Sequence, residues 1–235
     1  MEEITVASKQ IAEISGLVIT NTFFWTLIIT ATLIISMAVL FRKPKLVPGR
    51  VQNFFEFIIE SLLNFVDSIT GSRKKTEEIF PLAATFFLLI WASNLMELIP
   101  GLGVFPILRS PSSVLNFTVA LALISIISVN YYSVKHLGVF KYLGKFFNFK
   151  SPILFFVGIL EFVGEFSKVI SLSMRLFGNL FAGEVLLIII SGLFAYLLPL
   201  PFLALEVLVG FIQALVFATL TVVFYSIATI ETEHG

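Results

Sequence analysis

Inside one strongly apolar stretch, residues 173–184 read SMRLFGNLFAGE and bring Arg175, Asn179 and Glu184 within ten positions. A guanidinium keeps its proton at any physiological pH, so Arg175 cannot escape the cost of hydrocarbon by neutralising itself. That cost runs from a few kcal/mol to more than ~10 kcal/mol. A carboxylate differs, because it can accept a proton and pass it on. An arginine among proton-passing groups is therefore a fixed field and a barrier, and it favours ionisation of an acid brought against it.

The spacing suggests how these groups are arranged. On a helix turning about 100° per residue with Glu161 at zero, Glu165 falls near +40°, Lys168 near −20°, Arg175 near −40° and Asn179 near zero. Five polar residues thus share one stripe, whereas Glu184 falls at about +140° on another face. The next apolar segment adds Glu206 and Gln213, seven positions apart on one side of their helix. Intramembrane ionisable groups that face a bundle interior usually mark an ion pathway. Competing readings stand beside that one. Glu161, Glu165 and Lys168 also suit a cytoplasmic-side network at i, i+3 and i, i+4 spacing. Arg175 also suits a permanent structural pair with Glu184 or Glu206, Asn179 and Gln213 suit helix-to-helix glue, and Glu97 beside Pro100 suits a membrane-edge marker. Gly178, Ala182 and Gly183 leave room for a partner helix.

The elements carrying these groups follow from composition. The chain has 235 residues, 58% hydrophobic and 13% charged, with no cysteine and zero formal net charge. Its mean hydropathy is +1.02. Residues 14–41, 110–134 and 207–230 contain no Asp, Glu, Lys or Arg, and each is long enough to cross a hydrocarbon core that takes about 20 helical residues. The expected fold is an all-α polytopic membrane protein with about five crossing helices. Absence of cysteine excludes disulfides and thiolate metal sites; no metal site or cofactor is expected, and zero net charge gives nucleic acid no electrostatic support.

The chain 1–235 reads as a single membrane domain. Residues 1–15 form an outer, net-acidic segment without a signal-peptide pattern, and 16–41 a first membrane helix that is expected to stay uncleaved. Residues 51–68 carry Glu56, Glu60 and Asp67 on one side and Phe, Ile and Leu on the other, as a surface amphipathic helix does. A helical hairpin is expected over 80–134, with Pro81 near its first turn. Ser151-Pro152 makes a good helix start, and no strong breaker follows until Pro199 and Pro201. A helix over 152–198 would measure about 70 Å at 1.5 Å per residue, more than twice the hydrocarbon thickness, so 152–230 reads as one long tilted hairpin. Loops 42–50, 73–75 and 135–150 hold eleven of the fifteen Lys and Arg residues, which puts them, and the C-terminus, in the cytoplasm and the N-terminus outside.

SLSMRLFGNLFAGE (171–184) with FIQALVFATLTVVFYSIA (211–228) resembles subunit a of the F-type ATP synthase, and the resemblance extends through NLMELIPG to nearly the whole chain. It implies the stator subunit of a membrane motor, in which Arg175 faces the rotor ring while Asn179, Glu184, Glu206 and Gln213 line two aqueous half-channels. It also implies a c-subunit ring, a b-subunit peripheral stalk and the rest of the synthase as partners, a bacterial cell membrane as location, and no catalysis by this chain itself. Position 206 is Glu where some members carry His. The alternative class, an ion-coupled secondary transporter, often shows related halves and helices interrupted near mid-membrane; here no repeat relates 1–110 to 111–235, and the breakers lie between spans. A noncatalytic scaffold would leave Arg175 unexplained.

Overall fold

The computed structural model describes residues 10–14, 17–40, 42, 49–99, 109–146, 152–193 and 199–230. Both termini, residues 43–48 of the first basic loop and the Ser151 cap lie outside the described residues. The elements are almost all helical: α1 (Asn21–Leu40), α2 (Arg50–Thr70), α3 (Arg73–Leu95), α4 (Leu115–Leu137), α5 (Val139–Phe146), α6 (Pro152–Leu193) and α7 (Pro199–Ile230). Four of them, α1, α3 with the short 3-10 turn Met96–Leu98 that follows it, α4 and α7, are long and apolar enough to cross a membrane. At 42 residues α6 is longer still, about 63 Å at 1.5 Å per residue. A short antiparallel strand pair, β1 (Gln10–Ile14) with β2 (Leu17–Thr20), precedes α1. The first membrane helix accordingly starts at Asn21 rather than at 16.

Local chemistry explains several boundaries. Helices α2 and α4 end at Gly71 (φ 64°) and Gly138 (φ 80°), a left-handed region that glycine enters without a Cβ penalty. Pro152 opens α6, and Pro199 and Pro201 sit in the first turn of α7, where a missing N–H costs nothing. Helix α3 departs from expectation: it begins at Arg73, so the charged run RKKTEE is helical and Pro81 stands inside the helix. Charged side chains keep their hydration at the membrane edge, so nothing forces that run out of helix.

The core lies where α3, α4, α6 and α7 meet. Leu172, Leu176 and Leu180 of α6 pack with Phe86, Phe87 and Ile90 of α3, Leu121, Ala122 and Ile126 of α4, and Ala214, Phe217 and Ala218 of α7. Two hydrogen bonds set α3 antiparallel to α7: Asn94 Nδ2 donates to the Gly210 carbonyl at 2.9 Å, and the Tyr225 hydroxyl to Glu78 Oε2 at 2.8 Å. These ties stand sixteen residues apart on α3, about 24 Å at 1.5 Å per residue. They divide the bundle into a hairpin end, where α6 turns into α7, and an opposite end. Exposed apolar side chains such as Leu27, Ile34, Ile35 and Val39 of α1 cover the outside, as hydrocarbon requires.

Candidate functional site

Helix α6 carries two different faces. Leu172, Leu176 and Leu180 recur every four residues and are buried; the same row continues to Glu184, which is 7% exposed. The core row therefore changes from apolar to acidic as it reaches the hairpin end. Arg175 lies off that row and is exposed, as are Met174 and Gly178 beside it. Its Nη2 donates to Ser171 Oγ one turn back, at 3.4 Å. A Cβ built on Gly178 would meet nothing within 4 Å, so the surface next to the guanidinium is open.

One turn further along, Asn179 Nδ2 donates to Gln213 Oε1 at 2.8 Å. This bond ties α6 to α7 beside Arg175 and lines up the two amides. Towards the opposite end, Lys168 Nζ pairs with Glu165 Oε1 at 2.5 Å and sits 5.3 Å from the centre of the Phe224 ring of α7. Glu161 is half-buried one turn away. The stripe read at 100° per residue thus runs along the edge of α6 that looks toward α7, with Arg175 at its outer margin.

Glu184 turns the other way. Its Oε1 lies 3.8 Å from Arg109 Nε, and the two side chains are 8% and 10% exposed. Glu97, at the end of α3, is 3% exposed and lies within electrostatic reach of Glu206, Glu184 and the Ser110 hydroxyl. Glu206 on α7 is half-buried. A Cβ placed on Gly183 would collide with the Glu206 carboxylate, so the absence of a side chain there lets this group rest against α6. Three carboxylates from three helices and one guanidinium converge at the hairpin end, beside the buried serines Ser93, Ser110, Ser112 and Ser113.

Two sequence readings change here. Arg175 is not paired with Glu184 or Glu206; the cation paired with Glu184 is Arg109. Glu97 is not a membrane-edge marker but a buried member of the acidic cluster. Of the small residues, Gly178 opens outward while Gly183 accommodates Glu206. A second cluster was absent from the sequence reading. Glu78 of α3 accepts from Lys135 Nζ at 2.6 Å and from the Tyr225 hydroxyl at 2.8 Å, and lies 2.7 Å from His136 Nε2. It fastens α4 and α7 to α3 at the opposite end. The positions 78, 135, 136 and 225 share no local pattern that would announce the contact.

Comparison with known proteins gives a consistent set of relatives. The model of the family described as ATP synthase A chain matches residues 23–226. The ATP synthase subunit a of Geotalea daltonii is 40% identical over 213 residues, covering 89% of this chain and 87% of that protein. Those of Geobacter sulfurreducens and Campylobacter concisus are 38% and 35% identical over 88% of this chain.

Proposed function

The chain belongs to the ATP synthase A chain family, and from that premise we propose that it is the stator subunit of the synthase's membrane motor, supplying two proton half-channels and the arginine between them. The observation that carries the residue assignment is the exposed guanidinium of Arg175 on the open side of α6, beside the Asn179–Gln213 bond. A permanently charged group exposed at the middle of a membrane-spanning bundle calls for a partner surface that meets it.

The partners are a c-subunit ring and a b-subunit peripheral stalk. A proton arrives at the hairpin end, which faces outside by the distribution of basic loops, and passes through the Glu97, Glu184 and Glu206 cluster. It then neutralises a carboxylate on the ring. The neutral site can turn through lipid because a protonated acid avoids most of the charge-burial cost. After nearly a full turn the site meets Arg175, whose charge favours loss of the proton toward the Glu161, Glu165 and Lys168 side. The membrane potential acts on each transferred charge with about 2.3 kcal/mol per 100 mV. Asn179 and Gln213 hold α6 and α7 in register beside the arginine. Torque arises as charged and neutral ring sites alternate against one fixed cation, and this chain forms no ATP itself.

Purification from membranes in mild detergent, followed by identification of the associated subunits, tests this reading. Recovery with a small two-helix proteolipid ring is the expected result. Recovery of the chain alone, still transporting an ion with a solute, would replace it with the secondary-transporter class.

A further inference from the structure

The geometry points to α5 as an interfacial anchor: its outward face lies on the bilayer, with apolar side chains among the acyl chains and Lys141 on the phosphates of anionic phospholipids. This goes beyond the stator reading and holds whichever side chains carry the proton.

Helix α5 starts where Gly138 (φ 80°) ends α4 and turns the chain, and it runs for eight residues, Val139–Phe146. With Val139 at zero and about 100° per residue, Leu143 falls near 40°, Phe140 near 100°, Lys141 near 200°, Tyr142 near 300° and Phe146 near 340°. Three sectors result. Tyr142 and Phe146 form the inner one. Their rings meet edge-on at 5.3 Å, Phe146 meets Phe162 of α6 at 6.4 Å, and Tyr142 lies within electrostatic reach of Glu165. The apolar outward sector has no such cover: Phe140 is 92% exposed, Val139 55% and Leu143 48%. Lys141, beside that sector, is exposed as well.

Charge and place decide what covers this face. Residues 135–150 contain four lysines and no Asp or Glu, so the segment complements an anionic surface. Lys135 is engaged by Glu78 at 2.6 Å, and the recognition therefore falls to Lys141. A basic row beside an apolar one is how a helix lies in the plane of a bilayer, its apolar face sunk to the acyl boundary and its lysines at headgroup level. The bilayer is already at hand, because α5 begins just past the end of a helix long and apolar enough to span it, Leu115–Leu137. A need for such an anchor is also present. Helix α6, 42 residues long, exceeds the hydrocarbon thickness, and the tilt of such a helix is set by its neighbours and by interfacial anchors near its ends.

The test places a bimane fluorophore on Val139→Cys in the intact synthase, which leaves Phe140 and Lys141 in place. Unsubstituted synthase taken through the same labelling supplies the blank, and co-purification of the proteolipid ring reports assembly. The complex is reconstituted into vesicles of phosphatidylcholine alone or mixed with phosphatidylglycerol, with bromines near the carbonyl end of the acyl chains as quencher. The brominated lipid is expected to quench the probe, and phosphatidylglycerol to raise that quenching about twofold or more. Lys141→Glu should cancel the increase, whereas Lys141→Arg should keep it. Phe140→Ser should lower quenching about twofold or more in both mixtures, since it removes the most deeply inserted group. A probe quenched by aqueous iodide and untouched by brominated lipid places α5 in water and overturns the proposal. A probe shielded from both quenchers means that another subunit covers the face, which also overturns it. Quenching indifferent to phosphatidylglycerol and to Lys141→Glu removes the headgroup recognition and overturns it equally. Failure of the stator reading looks different: Arg175→Ala would then synthesise ATP normally, whatever the probe on α5 reports.

Discussion

Gly183 of α6 and Glu206 of α7 are in direct contact, and a methyl group at 183 would occupy the place of the Glu206 carboxylate. The displaced atoms are the far end of a flexible side chain, so Gly183→Ala should leave the fold intact and move the carboxylate. Proton-driven synthesis is expected to fall about three- to tenfold, about 1 kcal/mol of barrier. Shortening the acid in the same background, as Gly183→Ala/Glu206→Asp, should restore part of the rate because the two sites are coupled. Parental rates in Gly183→Ala would show that the position of this carboxylate is immaterial.

Arg175 stands exposed on α6, with Ser171 as its hydrogen-bond partner at 3.4 Å. Its removal breaks no buried ion pair among the described residues, so the complex should assemble without it. Arg175→Ala is expected to abolish coupled ATP synthesis, and Arg175→Lys to fail or nearly so, because an ammonium can lose its proton when desolvated and lacks the guanidinium's shape. Growth on a non-fermentable carbon source reads both variants. Normal growth of either one removes Arg175 from the mechanism.

Lys141 is exposed on α5, between α4 and α6, in one of the three basic loops assigned to the cytoplasm. The chain has no cysteine, so Lys141→Cys can be labelled without background. An impermeant thiol reagent should leave it unmodified in intact cells and modify it in inverted vesicles. Labelling from outside intact cells would reverse the orientation, and with it the direction of the proton path.

Glu78 joins three helices through Lys135, His136 and Tyr225. Glu78→Ala removes the shared acceptor and leaves those donors facing one another, so the midpoint of thermal inactivation of the purified complex is expected to drop by roughly 2–4 °C or more. Glu78→Gln keeps one acceptor and should cost less. Equal midpoints for Glu78→Ala and the parental protein would show that the ends of α4 and α7 are held by apolar packing alone.

Composition and periodicity were enough to read a helical membrane protein, and the strings at 171–184 and 211–228 carried the resemblance to this family. Charge-free runs of twenty or more residues can satisfy their backbone in hydrocarbon only as helices here, and prolines at 152, 199 and 201 mark helix starts wherever the chain goes. The separation of Arg175 from Glu184 onto different faces was equally legible, because the angle between residues nine apart is a property of one helix. Partner choice across helices was not. Glu184 meets Arg109, seventy-five positions earlier, only because the turn at 111–113 folds against α6. Glu97 becomes part of an acidic cluster only because α3 and α7 run antiparallel with Asn94 against Gly210, and Glu78 gathers its donors through the same register. A sequence records which side of a helix a group occupies; interhelical packing and the path of the connecting loops decide what stands opposite.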